Sequence, residues 1–285
     1  MPDLPDVVTR LVTASAAAGE APPFSDQTLV DLRAGRAVAV VAPDDAGVAV
    51  VHDGELELVV GLEARGRGIG TALVRRVLAS DGMSGPAPTR AWAHGDAPAA
   101  RALAEAVGWS ATRRLLQLRA PIPEDAPEAR LPADSTFVPF VTGAGAATTT
   151  EAAWLALNAI AFAHHPEQGR MSLDDLRERE SEQWFDPADV LLLADGSGSV
   201  VGSCWLKVEP PPRGTIGEFY AVAVHPSRQG QGVGGVLMRA GFARLAGRGL
   251  EAAALYVEGD NTAALALYRR TGFVDHAVDV QYAAP

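Results

Sequence analysis

The stretch QGQGVG, Gln229–Gly234, stands between a strand-like apolar run and a helix-like run, and RGRGIG, Arg65–Gly70, stands in the same setting 164 residues earlier (229 − 65). Each reads as a strand, then R/Q-x-x-G-x-G, then a helix. Such a turn makes an anion site, because successive backbone N–H groups point inward and the helix N-terminus adds the positive end of its dipole. Glycine suits the turn because a Cβ would block the close approach of a phosphate and because a positive φ costs glycine little. A pyrophosphate is the natural guest.

The same offset recurs downstream. Set in register, AWAHGDAPAARALAEAVGW (Ala91–Trp109) and LYVEGDNTAALALYRRTGF (Leu255–Phe273) pair Gly95 with Gly259, Asp96 with Asp260, Ala99 and Ala100 with Ala263 and Ala264, Leu103 with Leu267, and Gly108 with Gly272. Gln117 then meets Gln281 and Pro121 meets Pro285. Chance does not hold register over so long a span, so the chain is a tandem duplication. PIPEDAPEARLPADS (Pro121–Ser135) is rich in proline, alanine and acids and reads as an extended connector. The expected domains are therefore 1–120 and 135–285, with 121–134 as linker.

Each copy reads as mixed α/β. In the second, Val190–Asp195 and Val200–Val208 flank a DGSG hairpin signal. Further strands are expected at Gly217–Val224, Ala252–Val257 and Phe273–Tyr282, and helices near Thr149–Phe162, Ser172–Trp184, Gln231–Ala246 and Asn261–Arg270. The first copy is shorter, with strands near Ala37–Ala42, Val48–Val51 and Glu55–Val60.

Length and composition agree with two globular domains: 285 residues, 48% hydrophobic and 21% charged. The formal net charge of −11 argues against nucleic acid and against an anionic membrane surface as partner, while leaving room for a small anion held by backbone amides. Cys204 is the only cysteine, so no internal disulfide forms. The start MPDLPDVVTR lacks a signal-peptide pattern and no apolar run reaches spanning length, so a cytoplasmic protein is expected. Two related domains in one chain can pair with each other, so a monomer is expected.

The pyrophosphate carrier can be narrowed. Gly230, Gly232 and Gly235 match G-x-G-x-x-G, but the first copy has Thr71 where the third glycine belongs, and His225–Arg228 separates strand from loop, which the dinucleotide fingerprint does not allow. No G-x-x-x-x-G-K-[ST] is present. The loop together with the later N-x-A-A-x-x-x-Y and G-F instead resembles the GNAT superfamily of N-acetyltransferases, an α/β fold with a mixed sheet, here present twice. The resemblance implies acetyl-CoA as co-substrate and no metal. Its donor site would run along Val222, Ala223 and Val224, through Gln229, Gly230, Gln231, Gly232, Val233, Gly234 and Gly235, to Asn261, Ala263 and Ala264. The first-copy counterpart is Leu58, Val59, Val60, Arg65, Gly66, Arg67, Gly68, Ile69 and Gly70.

A narrower likeness rests on AFAHHPEQG (Ala161–Gly169), WFDP (Trp184–Pro187), WLKV (Trp205–Val208) and GEFYAVAV (Gly217–Val224). These are similar to a tandem-domain branch of the superfamily that acetylates the cysteinyl amine of cysteinyl-glucosaminyl-inositol. That likeness implies acceptor contacts at Asp26, Glu167, Lys207, Glu218 and Tyr256. Asp26 departs from the glutamate expected there, and as a residue its alternative reading is a helix N-terminal acid.

Amide formation needs an ammonium deprotonated, a carbonyl polarised and a departing thiolate protonated. Glu218 stands at the start of the strand leading to the second loop, and Tyr268 on the helix after Asn261; the likeness assigns them as base and acid. On the residues alone a solvated acid and a core tyrosine fit equally well. Subtracting 164 turns Glu218 into Gly54, Tyr268 into Ala104 and Asn261 into Ala97. Only the second copy is thus expected to be catalytic, and the first is a degenerate copy whose loop still suits acetyl-CoA. The competing functions are a GNAT acting on another small amine and a non-catalytic CoA-binding sensor. His164–His165 lacks a third metal ligand at recognised spacing, and Cys204 alternates like a buried small hydrophobe.

Overall fold

The computed structural model describes residues 4–79, 87–123, 130–163, 168–210 and 215–285. In chain order the helices are α1 (Leu4–Ala17), α2 (Asp26–Arg33), α3 (Ile69–Leu78), α4 (Pro98–Ala106), α5 (Thr149–Ala161), α6 (Leu173–Glu180), α7 (Val233–Gly247) and α8 (Thr262–Arg270). The strands are β1 (Val38–Val41), β2 (Gly47–His52), β3 (Glu55–Val60), β4 (Arg90–Ala93), β5 (Ser110–Pro121), β6 (Thr136–Pro139), β7 (Val190–Ala194), β8 (Val200–Val208), β9 (Ile216–Val224), β10 (Ala252–Glu258) and β11 (Val274–Ala283). The duplication is plain in these bounds. Moved by 164, α4 coincides with α8, the start of β5 with that of β11, and the 3-10 turn Leu62–Ala64 with Pro226–Arg228.

The chain forms two compact units. Unit 1 holds Met1–Leu116, Glu258–Asp260 and Ala277–Pro285, and unit 2 holds Gln117–Val257 and Asn261–His276. These limits differ from the repeat limits 1–120 and 135–285 for a physical reason. The end of β11 pairs antiparallel with β4, Val280 opposite Ala93 through Ala283 opposite Arg90, so the last residues of the second copy complete the sheet of unit 1.

In unit 1, β1, β2 and β3 form an antiparallel meander, and β3 runs parallel to β4. Valine-rich β2 is buried along nearly its whole length, as its apolar run predicts. One face packs Leu73, Val74 and Val77 of α3, and the other packs Val7, Val8 and Leu11 of α1. Ser25 caps α2 through Thr28 N.

In unit 2, β6, β7, β8 and β9 are successively antiparallel, and β10 joins β9 in parallel. Capping boxes open both α5 (Thr148 with Glu151) and α6 (Ser172 with Asp175). Helix α6 stops at Glu180, short of the expected Trp184. Trp184 and Phe185 turn inward instead, against Trp205 at 6.0 and 5.8 Å between ring centroids, in a core shared with Trp154, Leu176 and Leu192. On the opposite side α7 lies close to the sheet, because Gly241 leaves room for the Phe219 ring, which a Cβ would meet at 2.4 Å.

Candidate functional site

Both loops fold alike. Gly66 and Gly68 have φ of 73° and 79°, and Gly230 and Gly232 have 73° and 84°. Gly68 and Gly232 are the left-handed N-caps of α3 and α7. An alanine there would crowd its carbonyl oxygen, which is why glycine recurs. The residue that opens each loop ties it back to the preceding strand: Arg65 Nε donates to Val60 O at 3.1 Å, and Gln229 Nε2 to Val224 O at 3.4 Å. Arg65 also grips Glu20 through its two Nη nitrogens, and this hydrogen bonding pulls the Glu20 carboxyl below its usual range. Helix geometry leaves the amides of Val233, Gly234 and Gly235 without intrahelical partners, so they are available to an anion.

Each unit also opens a fork beside its loop. In unit 1 the β3–β4 pairing covers Glu55 with Arg90 and Leu56 with Ala91 and goes no further. A cavity of 840 Å³ lies there, lined by every first-copy donor residue singled out from the sequence except Arg67, together with Trp92, His94 and Trp109. His94 closes one wall between Asp279 Oδ2 at 3.1 Å and Glu57 Oε1 at 3.3 Å. Burial opposes its charge, but hydrogen bonds to the two carboxylates outweigh burial and raise its pKa to about 9. Sequence reading missed this cluster, because Asp279 lies 185 positions from His94 (279 − 94) and no local pattern joins them.

In unit 2 the fork lies at Glu218. Pairing of β9 with β10 runs from Ile216 opposite Ala252 to Glu218 opposite Ala254 and stops. Beyond it, β9 carries Val222, Ala223 and Val224 toward the loop. The β8–β9 register shifts there, Trp205 facing Ala221 and Leu206 facing Phe219, so Tyr220 is the extra residue of a bulge. Its ring lies 5.3 Å from both Trp184 and Trp205, and its hydroxyl accepts from Arg179 Nε at 3.2 Å. No sequence signal marks a bulge; only the paired register reveals it.

Lys207 lies directly opposite Glu218 across β8 and β9, so two of the residues that the sequence likeness assigns to the acceptor meet. Its ammonium is 2.8 Å from Glu209 Oε1 and 5.3 Å from the Trp184 ring centroid. Tyr256, two residues beyond Ala254, is 46% exposed and takes a hydrogen bond from Gln117 Nε2 at 3.0 Å. Tyr268 sits on α8, 8% exposed, its ring edge-on to Phe273 at 6.1 Å. Burial, with Cys204 adding to it, pushes the phenol well above its ordinary value, so it holds its proton. Cys204 is itself buried and its thiol is driven up by the same burial. Asn261 caps α8, its Oδ1 accepting from Ala264 N at 3.1 Å, with Ala263 and Ala264 in the first turn.

Asp26 opens α2 after the Ser25 cap, in unit 1, and its side chain is outside the described part. Glu167, His164 and His165 lie outside the described residues. Among the described residues, no helix is long and apolar enough to cross a membrane.

Residues 154–273 match the model of the acetyltransferase (GNAT) family. A GCN5-related N-acetyltransferase from Sphaerobacter thermophilus superposes with a TM-score of 0.74 at 25% identity, covering 97% of this chain and 90% of the other. A tandem GNAT protein from the clavulanic acid biosynthesis pathway shares the fold, with a TM-score of 0.69 at 18% identity over 99% of this chain and 95% of the other. The class is therefore that of GNAT acyltransferases, here as a mixed α/β fold occurring twice. In sequence, the mycothiol acetyltransferase of Clavibacter sepedonicus is 45% identical across 99% of this chain and 92% of its own length. That of Clavibacter michiganensis subsp. michiganensis is 46% identical across 98% and 92%. The chain belongs to the mycothiol acetyltransferase family.

Proposed function

We propose that the chain transfers the acetyl group of acetyl-CoA to the cysteinyl amine of cysteinyl-glucosaminyl-inositol, completing mycothiol, and that 135–285 does the chemistry while 1–120 is a degenerate copy. The observation that carries this reading is the fork of β9. Glu218 stands where β10 leaves β9, and the glycine loop begins at Gln229, one 3-10 turn past the end of β9. From Glu218 to Val224 an extended strand covers roughly 20 Å, a span suited to an extended pantetheine arm. A donor with its pyrophosphate on the amides of Gly230–Gly235 would lay that arm along Val222–Val224 and bring its thioester to Glu218.

In the transfer, Glu218 accepts a proton from the acceptor ammonium, directly or through a water. The freed amine forms a C–N bond to the thioester carbonyl carbon and the C–S bond breaks. Tyr268, held protonated by burial, gives its proton to the departing sulfur. Most of the acceleration comes from holding amine and thioester together. Lys207 and Tyr256 border the same face and suit an acceptor rich in hydroxyls. Asp26 and Glu167 are assigned to the acceptor on the family likeness alone.

The test is mass spectrometry of cysteinyl-glucosaminyl-inositol incubated with acetyl-CoA and the full chain. The expected product is heavier by one acetyl group, with Glu218→Gln and Tyr268→Phe each lowering kcat by about 10²–10⁴. Absence of product would remove the proposed acceptor; product with unimpaired variants would remove the assigned base and acid.

A further inference from the structure

The face of unit 2 that carries Glu218 can be followed from strand to strand. Lys207 is opposite Glu218, and Glu218 is opposite Ala254. Cross-strand partners share a face, as do residues two apart along one strand, so Tyr256 lies on that face as well. The hydrogen bond from Gln117 Nε2 to the Tyr256 hydroxyl brings β5, the neighbour of β10, onto the same face. Arg119 is two residues past Gln117, flanked by Leu118 and Ala120, which point the other way into the core.

Arg119 differs from the other arginines of this strand. Arg113 pairs with Glu258, and Arg114 pairs with Asp96. The Nε of Arg119 is shut off from solvent and has no hydrogen-bond partner among the described residues. A buried guanidinium N–H that has lost water and gained nothing is a donor in need of an oxygen. The planar fork of the guanidinium matches two adjacent oxygens better than one. Position decides which oxygens. β5 lies two strand spacings from β9, about 10 Å, on the opposite side of Glu218 from Lys207. An acceptor whose amine is deprotonated at Glu218 places a cysteinyl unit and one sugar ring across that gap.

We propose that Arg119 binds adjacent hydroxyls of the inositol ring, and so selects acceptors that end in a polyol. This rests on the acceptor and the attack position proposed above. No carboxylate or phosphate is needed on the ligand: binding opens the closed Nε edge, and Nε–H and one Nη–H then donate to two ring oxygens.

Steady-state kinetics of Arg119→Met and Arg119→Lys, with the full acceptor and with cysteinyl-glucosamine lacking the inositol, test the assignment. With the full acceptor, Arg119→Met is expected to raise the acceptor KM about tenfold or more. Its kcat should stay within about threefold and its acetyl-CoA KM should not change. Arg119→Lys, which keeps charge but not the fork, should fall between. With the truncated acceptor the parent and both variants should coincide. An equal loss on both acceptors, as misfolding or a purely structural arginine would give, overturns the proposal, and so does no loss on the full acceptor. If the parent acetylates neither compound, the proposed acceptor itself fails, which is a distinct result.

Discussion

Lys207 faces Glu218 across two strands, and Trp184 lies under the lysine ammonium. Glu218, Tyr268 and Lys207 could be picked out by subtracting one repeat from the other and by family likeness. Trp184 could be quoted as part of WFDP, but its contact with Lys207 could not be read, because α6 had first to end at Glu180 for the indole to turn inward. His94 was beyond reach altogether. Its charge depends on Asp279 and Glu57, which come from distant parts of the chain. The consequence is a pH signature. A folded-state pKa of about 9, above the ordinary 6.5, means protonated His94 contributes stability that is fully present below about pH 6.5. That contribution disappears as pH rises through 9. His94→Gln should therefore lower Tm clearly at pH 6 and little at pH 10, measured by calorimetry; an equal drop at both would show that the imidazole acts by packing alone.

The two glycine loops are legible elements, since a left-handed turn followed by a helix has few sequence solutions, and the structure repeats the turn with nearly identical φ angles. What surrounds the loops differs. The fork of unit 2 carries Glu218, whereas that of unit 1 opens on a cavity walled by Trp92, Trp109 and a charged His94. An alanine in the left-handed region costs roughly 1–2 kcal/mol and shifts the amides that would meet a pyrophosphate. Gly232→Ala should then raise the acetyl-CoA KM of turnover by about tenfold, and Gly68→Ala should raise it far less. Equal effects in initial-rate kinetics would mean that the first loop also feeds the reaction. The bulge at Tyr220 lies at the opposite extreme of legibility. GEFYAVAV reads as a regular strand, and the extra residue appears only against β8.

At the scale of the whole chain, the repeat limits and the contact limits part company at β11. Residues Ala277–Pro285 belong by sequence to the second copy and by contact to unit 1, where they pair with β4 and supply Asp279 to His94. A chain ending at His276 should consequently lose hydrogen-exchange protection at Trp92 and Ala93, while β7 and β8 keep theirs; uniform loss throughout would contradict two separable units. The sequence by itself determined the duplication, the α/β class, the two glycine loops and the residue asymmetry between copies, because each is written in local pattern or in residues a constant distance apart. Only the tertiary structure decided where β9 and β10 part, which residue is bulged, which strand end completes which unit, and that Arg119 shares a face with Glu218. Those features depend on hydrogen-bond register between distant strands, and register is chosen by the burial of whole faces together.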